Sequence, residues 1–280
     1  MKTTHTILDE IMVEVRREIA AAQARRPVAE LRRMAIDAPP VRSFAGALSR
    51  RFGLIAEIKE RSPSQGSMRA ENVADATSAY EESPIVHAIS VLTNASHFGM
   101  DIERLHKVKA SGSKPVLRKD FIVDEYQVHE ARAFGADAIL LMANLLDPSE
   151  MARLFALAVE LGMDVLFECH DEAQIRQLPA GAVVCGINSR TFSVRGQDYA
   201  AARAGRAEGK RDLTTDLGRF ELGRLLPLDT IKVAESGVHP ENAARIRDEL
   251  KFQAILVGTS LLTSAAGIRA ELARFERALI

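Results

Sequence analysis

The sequence predicts an α/β protein, a (β/α)8 barrel preceded by an amino-terminal helical extension, on three observations. Eight short runs rich in β-branched residues recur along the chain, separated by helical stretches in one regular order. An open doubly wound sheet would carry a GxGxxG turn after its first strand, and none is present. The 280 residues, 47% of them hydrophobic, suffice for one large core without requiring a second domain. Residues 1–280 therefore read as a single barrel domain in which 1–50 form the extension.

In chain order, ILDEIMVEVRREIAAAQARR comes first. It repeats apolar residues at Ile7, Ile11, Val15 and Ile19, with Leu8 and Met12 beside them, and Thr6 to Asp9 offers a capping box. This is an amphipathic helix. A second helical stretch surrounds Val28 to Met34 until Ala38, Pro39 and Pro40 break it, and Phe44 to Leu48 lead into the first strand. The strands follow at 53–59, 86–92, 115–119, 137–142, 163–168, 182–188, 230–235 and 254–257. Gly135 terminates the helix before the fourth strand, and Asp171 with Gln174 caps a helix start after the fifth. Residues 189–229 exceed a plain crossover by roughly 20 residues. Within them 193–215, rich in Ala, Arg and Gly, read as a surface excursion, helical in part.

Composition excludes several function classes. Net charge is −1, with 37 basic and 38 acidic side chains spread along the chain, so no uniform field attracts nucleic acid. Cys169 and Cys185 have neither the number nor the spacing of a disulfide framework or a CxxC metal site. The amino terminus reaches acidic residues before any long apolar stretch, and no 18-residue apolar run follows. A cytoplasmic protein without membrane contact is expected. The seven His residues show no HExxH or other local metal motif, and no GxSxG marks a nucleophile elbow.

The chemistry is expected at the carboxyl ends of the strands, where such barrels hold their active sites. With period two, Glu57 and Lys59 finish the first strand on one face, Lys119 finishes the third, Glu168 the fifth, and Asn188 the sixth with Arg190 two residues on. One Glu or Lys at a strand end is commonly a solvated terminus or half of an ion pair. Two lysines and two carboxylates in one mouth are a candidate acid and base set, because partial burial can shift a Lys toward acid chemistry and a Glu toward base chemistry. His170 is placed behind Glu168. Phe98 and Phe121, near the ends of the second and third strands, could wall an aromatic pocket. The seventh strand runs into Glu235, Ser236 and Gly237 and the eighth into Gly258, Thr259 and Ser260, so small residues free backbone amides for a phosphate in both loops.

IAEIKERSPSQG, SVLTNASHFG, VLRKDFIVDEYQV, GADAILLMANLL, FECHDE, GINSRTF, VAESGV and ILVGTSLL, in this order, resemble the indole-3-glycerol phosphate synthase family. The ILDEI helix and PPVRSFAGAL resemble that family's amino-terminal extension. The resemblance implies a TIM barrel without cofactor or metal. It implies conversion of 1-(o-carboxyphenylamino)-1-deoxyribulose 5-phosphate into indole-3-glycerol phosphate, with loss of carbon dioxide and water. It further implies that Lys119 is the general acid on the ketone, that Lys59 meets the substrate's anionic groups and can supply a proton in dehydration, and that Glu168 is the general base. Which lysine acts at which step stays open. Glu57, Asn188, Glu235 and Ser236 complete the implied catalytic group. Ser62, Phe98, Phe121, Leu140 and Arg190 are implied substrate contacts, and Lys59, Gly237, Gly258 and Thr259 are implied phosphate contacts. Association with other enzymes of tryptophan biosynthesis is an implied possibility. Asn94 stands where the family often has Glu, and Ser189 where it often has a second Asn before Arg190. The alternative reading is a diverged, noncatalytic barrel that binds a phosphate ligand and docks a partner through 193–215.

Overall fold

The computed structural model of the protein describes residues 7–62, 65–190 and 215–279. Three helices, α1 (Ile7–Arg25), α2 (Val28–Asp37) and α3 (Phe44–Ser49), precede the first barrel strand. The barrel strands are β1 (Gly53–Ile58), β2 (Val86–Leu92), β3 (Val116–Lys119), β4 (Ala138–Met142), β5 (Asp164–Cys169), β6 (Val184–Asn188), β7 (Ile231–Glu235) and β8 (Ala254–Val257). Each pairs in parallel with its sequence neighbour, and β8 closes on β1, so the sheet has no free edge.

The predicted strands all form, with ends shifted by one or two residues. Lys59 follows β1 rather than ending it, and β5 extends through Cys169. Thr6 of the expected capping box and residues 191–214 of the excursion lie outside the described residues. The described remainder of the excursion contains a 3-10 helix, Leu217–Leu225. Two short features were not anticipated: a two-residue antiparallel ladder, Arg61–Ser62 with Gly66–Ser67, and helix α5 (Ala95–Phe98), which follows α4 (Ala70–Glu82).

Register decides which residues face the barrel axis. Parallel partners share a face, and the pairs Glu57–Ser90, Leu92–Lys119, Met142–Glu168, Asn188–Glu235 and Glu235–Leu256 place the polar strand ends on one inner rim. Beneath them lies an apolar interior of Ile55, Leu117, Leu140, Leu166 and Val233, all buried.

The amino-terminal helices span the barrel from end to end. Ile11, Val15 and Ile19, four residues apart on α1, are buried in the same hydrophobic cluster as the strands. At the carboxyl end of the strands, Glu18 of α1 accepts from Asn94 Nδ2 at 2.8 Å and Ser96 Oγ at 2.5 Å. At the amino end, Asp137 and Asp164, just before and at the start of β4 and β5, accept from Arg42 N at 2.6 Å and Ala45 N at 2.9 Å. Asp137 also accepts from Val116 N at 2.8 Å and from the buried Lys109 Nζ at 2.5 Å.

Candidate active site

A cavity of about 240 Å³ opens at the carboxyl ends of the strands. Glu57, Lys59, Ser62, Phe98, Lys119, Phe121, Asn188, Arg190, Glu235, Ser236, Gly237, Gly258 and Thr259 all line it. Most of the predicted site residues therefore lie together. Leu140 is a correction: it pairs with Leu166, one step below the Met142–Glu168 pair, and is sealed beneath the cavity. Glu168 also lies below the lining, fully buried, and meets the site through Lys119.

Lys119 is the electrostatic centre. Its Nζ stands 3.5 Å from Glu168 Oε2 and 3.7 Å from Glu235 Oε2. Arg118, the next residue back, faces the other way into a buried network with Asp120 Oδ2 at 3.0 Å and Glu130 Oε2 at 2.8 Å, which fixes the end of β3 and so the direction of Lys119. Burial alone would lower the Lys119 pKa, but Glu168, Glu235 and Glu57 outweigh it and hold the ammonium above its ordinary range. This reverses the expectation that partial burial prepares the lysine as an acid. Lys119 is held as a cation by these three carboxyls.

The carboxyls divide into two classes. For Glu57, burial favours the neutral form, but Lys59, 2.5 Å away, together with Lys119, keeps it below the usual carboxylate range. For Glu168, burial is again outweighed, here by Lys119 and then by His170 and a hydrogen bond from Asn188. Glu235 goes the other way: burial and the neighbouring Glu168 charge push it well above the usual range. Its surroundings therefore favour the protonated form, whereas those of Glu168 favour the ionised one. Gly186, two residues before Asn188 on β6 and paired with Val233, leaves the room for the Glu235 carboxyl; a Cβ there would collide with Oε1. His170 Nε2 lies 3.5 Å from Glu168 Oε1, as its placement behind Glu168 anticipated, and burial lowers its pKa.

The two ends of the cavity differ in chemistry. At one end Phe98 and Phe121 stack with centroids 6.1 Å apart and an interplanar angle of 25°, with His97 edge-on to Phe121. At the other end lie Ser236 and Gly237, both at positive φ, and Gly258 and Thr259. Sequence reading missed Ile11, His97, Thr215, Val238 and Leu256 in the lining. Ile11 carried only the apolar helix period, which signals burial without saying against what. Thr215 arrives by a bridge to Arg190, a contact between segments that no local pattern announces.

A family model described as indole-3-glycerol phosphate synthase matches residues 8–197. The chain is 39% identical over 264 residues to the indole-3-glycerol phosphate synthase of Polaromonas sp. (strain JS666), covering 91% of this chain and 93% of that one. It is also 39% identical over 260 residues to indole-3-glycerol phosphate synthase 2 of Streptomyces coelicolor, again covering 91% and 93%. Among solved structures, 3-hexulose-6-phosphate synthase from Salmonella typhimurium superposes with a TM-score of 0.55 at 16% identity, over 82% of this chain and 98% of that one. N-(5'-phosphoribosyl)anthranilate isomerase from Pyrococcus furiosus gives 0.54 at 15%, over 81% and 98%. At these identities the structural likeness is one of fold.

Proposed function

The chain belongs to the indole-3-glycerol phosphate synthase family, and from that premise we propose how its own residues carry the reaction. The enzyme closes the indole ring of 1-(o-carboxyphenylamino)-1-deoxyribulose 5-phosphate and releases carbon dioxide and water. A C–C bond forms between the ring carbon bearing the carboxylate and the ketone carbon. The ketone oxygen takes a proton, and carbon dioxide leaves its electron pair to the ring. The resulting hydroxyl then departs as water with a second proton, and loss of a proton from the closed ring completes the indole.

In our reading the anthranilate ring lies against Phe98 and Phe121, and the phosphate meets the amides at Gly237, Gly258 and Thr259, with Lys59 nearby. Lys119 is the general acid on the ketone. The observation that carries this is its position, with Glu168 at 3.5 Å and Glu235 at 3.7 Å, in a cavity that Phe98 and Phe121 line together with Gly237, Gly258 and Thr259. Negative charge grows on the ketone oxygen during ring closure, so a fixed ammonium stabilises the transition state more than the ground state. Glu168, ionised behind Lys119, is the base that receives a proton once Lys119 has given one up. Glu235, whose surroundings favour the protonated form, is a second proton source within the same cluster, and Lys59, held by Glu57, serves the dehydration. Asn188 and Arg190 complete the polar wall, and Ser62 and Ser236 contact substrate from the β1 and β7 loops.

The chain contains no Trp, so fluorescence of the product indole stands clear of the protein background. Lys119→Met is expected to remove that signal while leaving the fold intact, a loss of roughly 10² to 10⁴ for a general acid. A variant retaining most of its turnover would sink the assignment. The docking alternative has no support among relatives named as synthases. We further propose a cytoplasmic location, with which the buried free thiols Cys169 and Cys185 agree. Association with enzymes that supply the substrate or consume the product is also proposed, and co-elution of mixed purified enzymes tests it.

A further inference from the structure

Ser189 follows Asn188 at the end of β6, does not line the cavity and is fully buried, yet each of its polar groups is engaged. Its N–H donates to Glu235 O at 2.9 Å, its Oγ donates to Ser236 O at 2.9 Å, and its own carbonyl accepts from Asp216 N at 2.9 Å. One small residue thus ties the ends of β6 and β7 to Asp216. The carbonyl held by its hydroxyl belongs to Ser236, whose φ is +69°, followed by Gly237 at +68°. A side-chain-bearing residue persists in that region only where its surroundings hold it.

A trans peptide plane carries its C=O and N–H on opposite edges. Holding Ser236 O on buried Ser189 therefore turns the Gly237 N–H the other way, and Gly237 lines the cavity. The next plane is held in the same manner. Asn242 Nδ2 donates to Gly237 O at 2.9 Å, which sets the Val238 N–H on the opposite edge, and Val238 also lines the cavity. Among the described residues neither amide has an acceptor. The neighbours of Asp216, whose N–H the Ser189 carbonyl holds, pack against the seat: a Cβ at Gly237 would stand 3.0 Å from Leu217 Cδ2 and 3.1 Å from Thr215 Cβ.

We infer that Ser189 and Asn242 are positioning residues that aim the Gly237 and Val238 amides at the substrate's phosphate, each by holding the carbonyl on the far edge of the peptide plane. The inference rests on the reading of this loop as the phosphate end of the site. Neither residue touches the reacting atoms. Their contribution is to affinity for the oxyanion, with little effect on the chemical step.

Ser189→Ala removes the hydroxyl and keeps both backbone hydrogen bonds. The Km for substrate and the Ki of inorganic phosphate, as a competitive inhibitor, are both expected to rise roughly tenfold, the scale of one hydrogen bond, while kcat stays within about twofold. Asn242→Ala moves both constants in the same direction. Phosphate affinity unchanged in both variants, each with the wild-type Tm, overturns the inference. So does a fall in kcat matched by a lowered Tm with Ki unmoved, which assigns a purely structural role. Should inorganic phosphate fail to compete with substrate on the wild-type enzyme, the phosphate reading of the loop falls. A wild type that binds phosphate while the variants bind it equally well defeats the positioning role alone.

Discussion

Glu235 shows most directly how environment sets chemistry at a single residue. In the unfolded chain it ionises near 4.5, whereas in the folded protein burial and the Glu168 charge hold its proton to well above that value. Below about pH 4.5 both states carry the proton. Above it the unfolded state gives the proton up and the folded state does not, so this residue's contribution to stability falls as pH rises, by up to about 1.4 kcal/mol per pH unit, until the folded group ionises. Glu235→Gln is isosteric with the neutral acid and escapes this penalty. Its stability relative to wild type is expected to rise as pH increases above about 4.5, measured by urea unfolding at each pH. A difference independent of pH would show that Glu235 ionises in the folded protein. Glu57 and Glu168 behave oppositely: their depressed values add stability at neutral pH that is lost as the solution is acidified through their folded pKa.

The strands were legible as elements because each is a short apolar run bounded by turn residues. Their ends were less so: Lys59 looked like strand but follows it, since the chain leaves β1 for the small ladder at Arg61 and Ser62. Helix α5 was not legible at all. Four residues cannot sustain a helix alone, and this one depends on the Asn94 side chain accepting from His97 N at 3.0 Å and on Glu18 of α1 holding Asn94 and Ser96. The junction at Asp137 is the counterpart at the other end of the barrel. One carboxylate there joins β3, the helix carrying Lys109 and the segment returning from α2. Asp137→Ala leaves the Lys109 ammonium buried without its partner, and a loss of about 3 to 5 kcal/mol in urea unfolding is expected. Asp137→Leu combined with Lys109→Met removes both charges and should recover part of that loss. A single variant within about 1 kcal/mol of wild type would mean that the junction contributes little.

Across the whole molecule, the β/α order was enough to anticipate a barrel, and alternation along the strands an inner rim of Glu57, Lys59, Lys119, Glu168 and Asn188. It could not anticipate the stagger between strands, which drops Leu140 and Glu168 below the cavity floor. Nor could it anticipate what segments distant in sequence contribute, such as Ile11 from α1 and Thr215 from beyond β6. These two contributions serve opposite ends of the cavity. The phosphate end is braced by the β6 and β7 loops, through Ser189 and Asn242. The aromatic end is braced by α1: Ile11 stands in the wall, Glu18 holds the α5 loop, and that loop carries Phe98 onto Phe121. Deleting residues 1–26 removes the second brace and leaves the first untouched, since none of the phosphate-end bonds involves α1. The truncated protein is expected to lose stability, with Ile11, Val15 and Ile19 gone from the core. Its Km for the carboxyphenylamino substrate should rise at least tenfold, because the ring loses an ordered aromatic wall. Its Ki for inorganic phosphate should stay within about twofold of wild type, the reverse of the pattern expected for Ser189→Ala. Equal weakening of both ligands would show that α1 holds the barrel mouth as a whole, and that the two ends of the site are not separately supported.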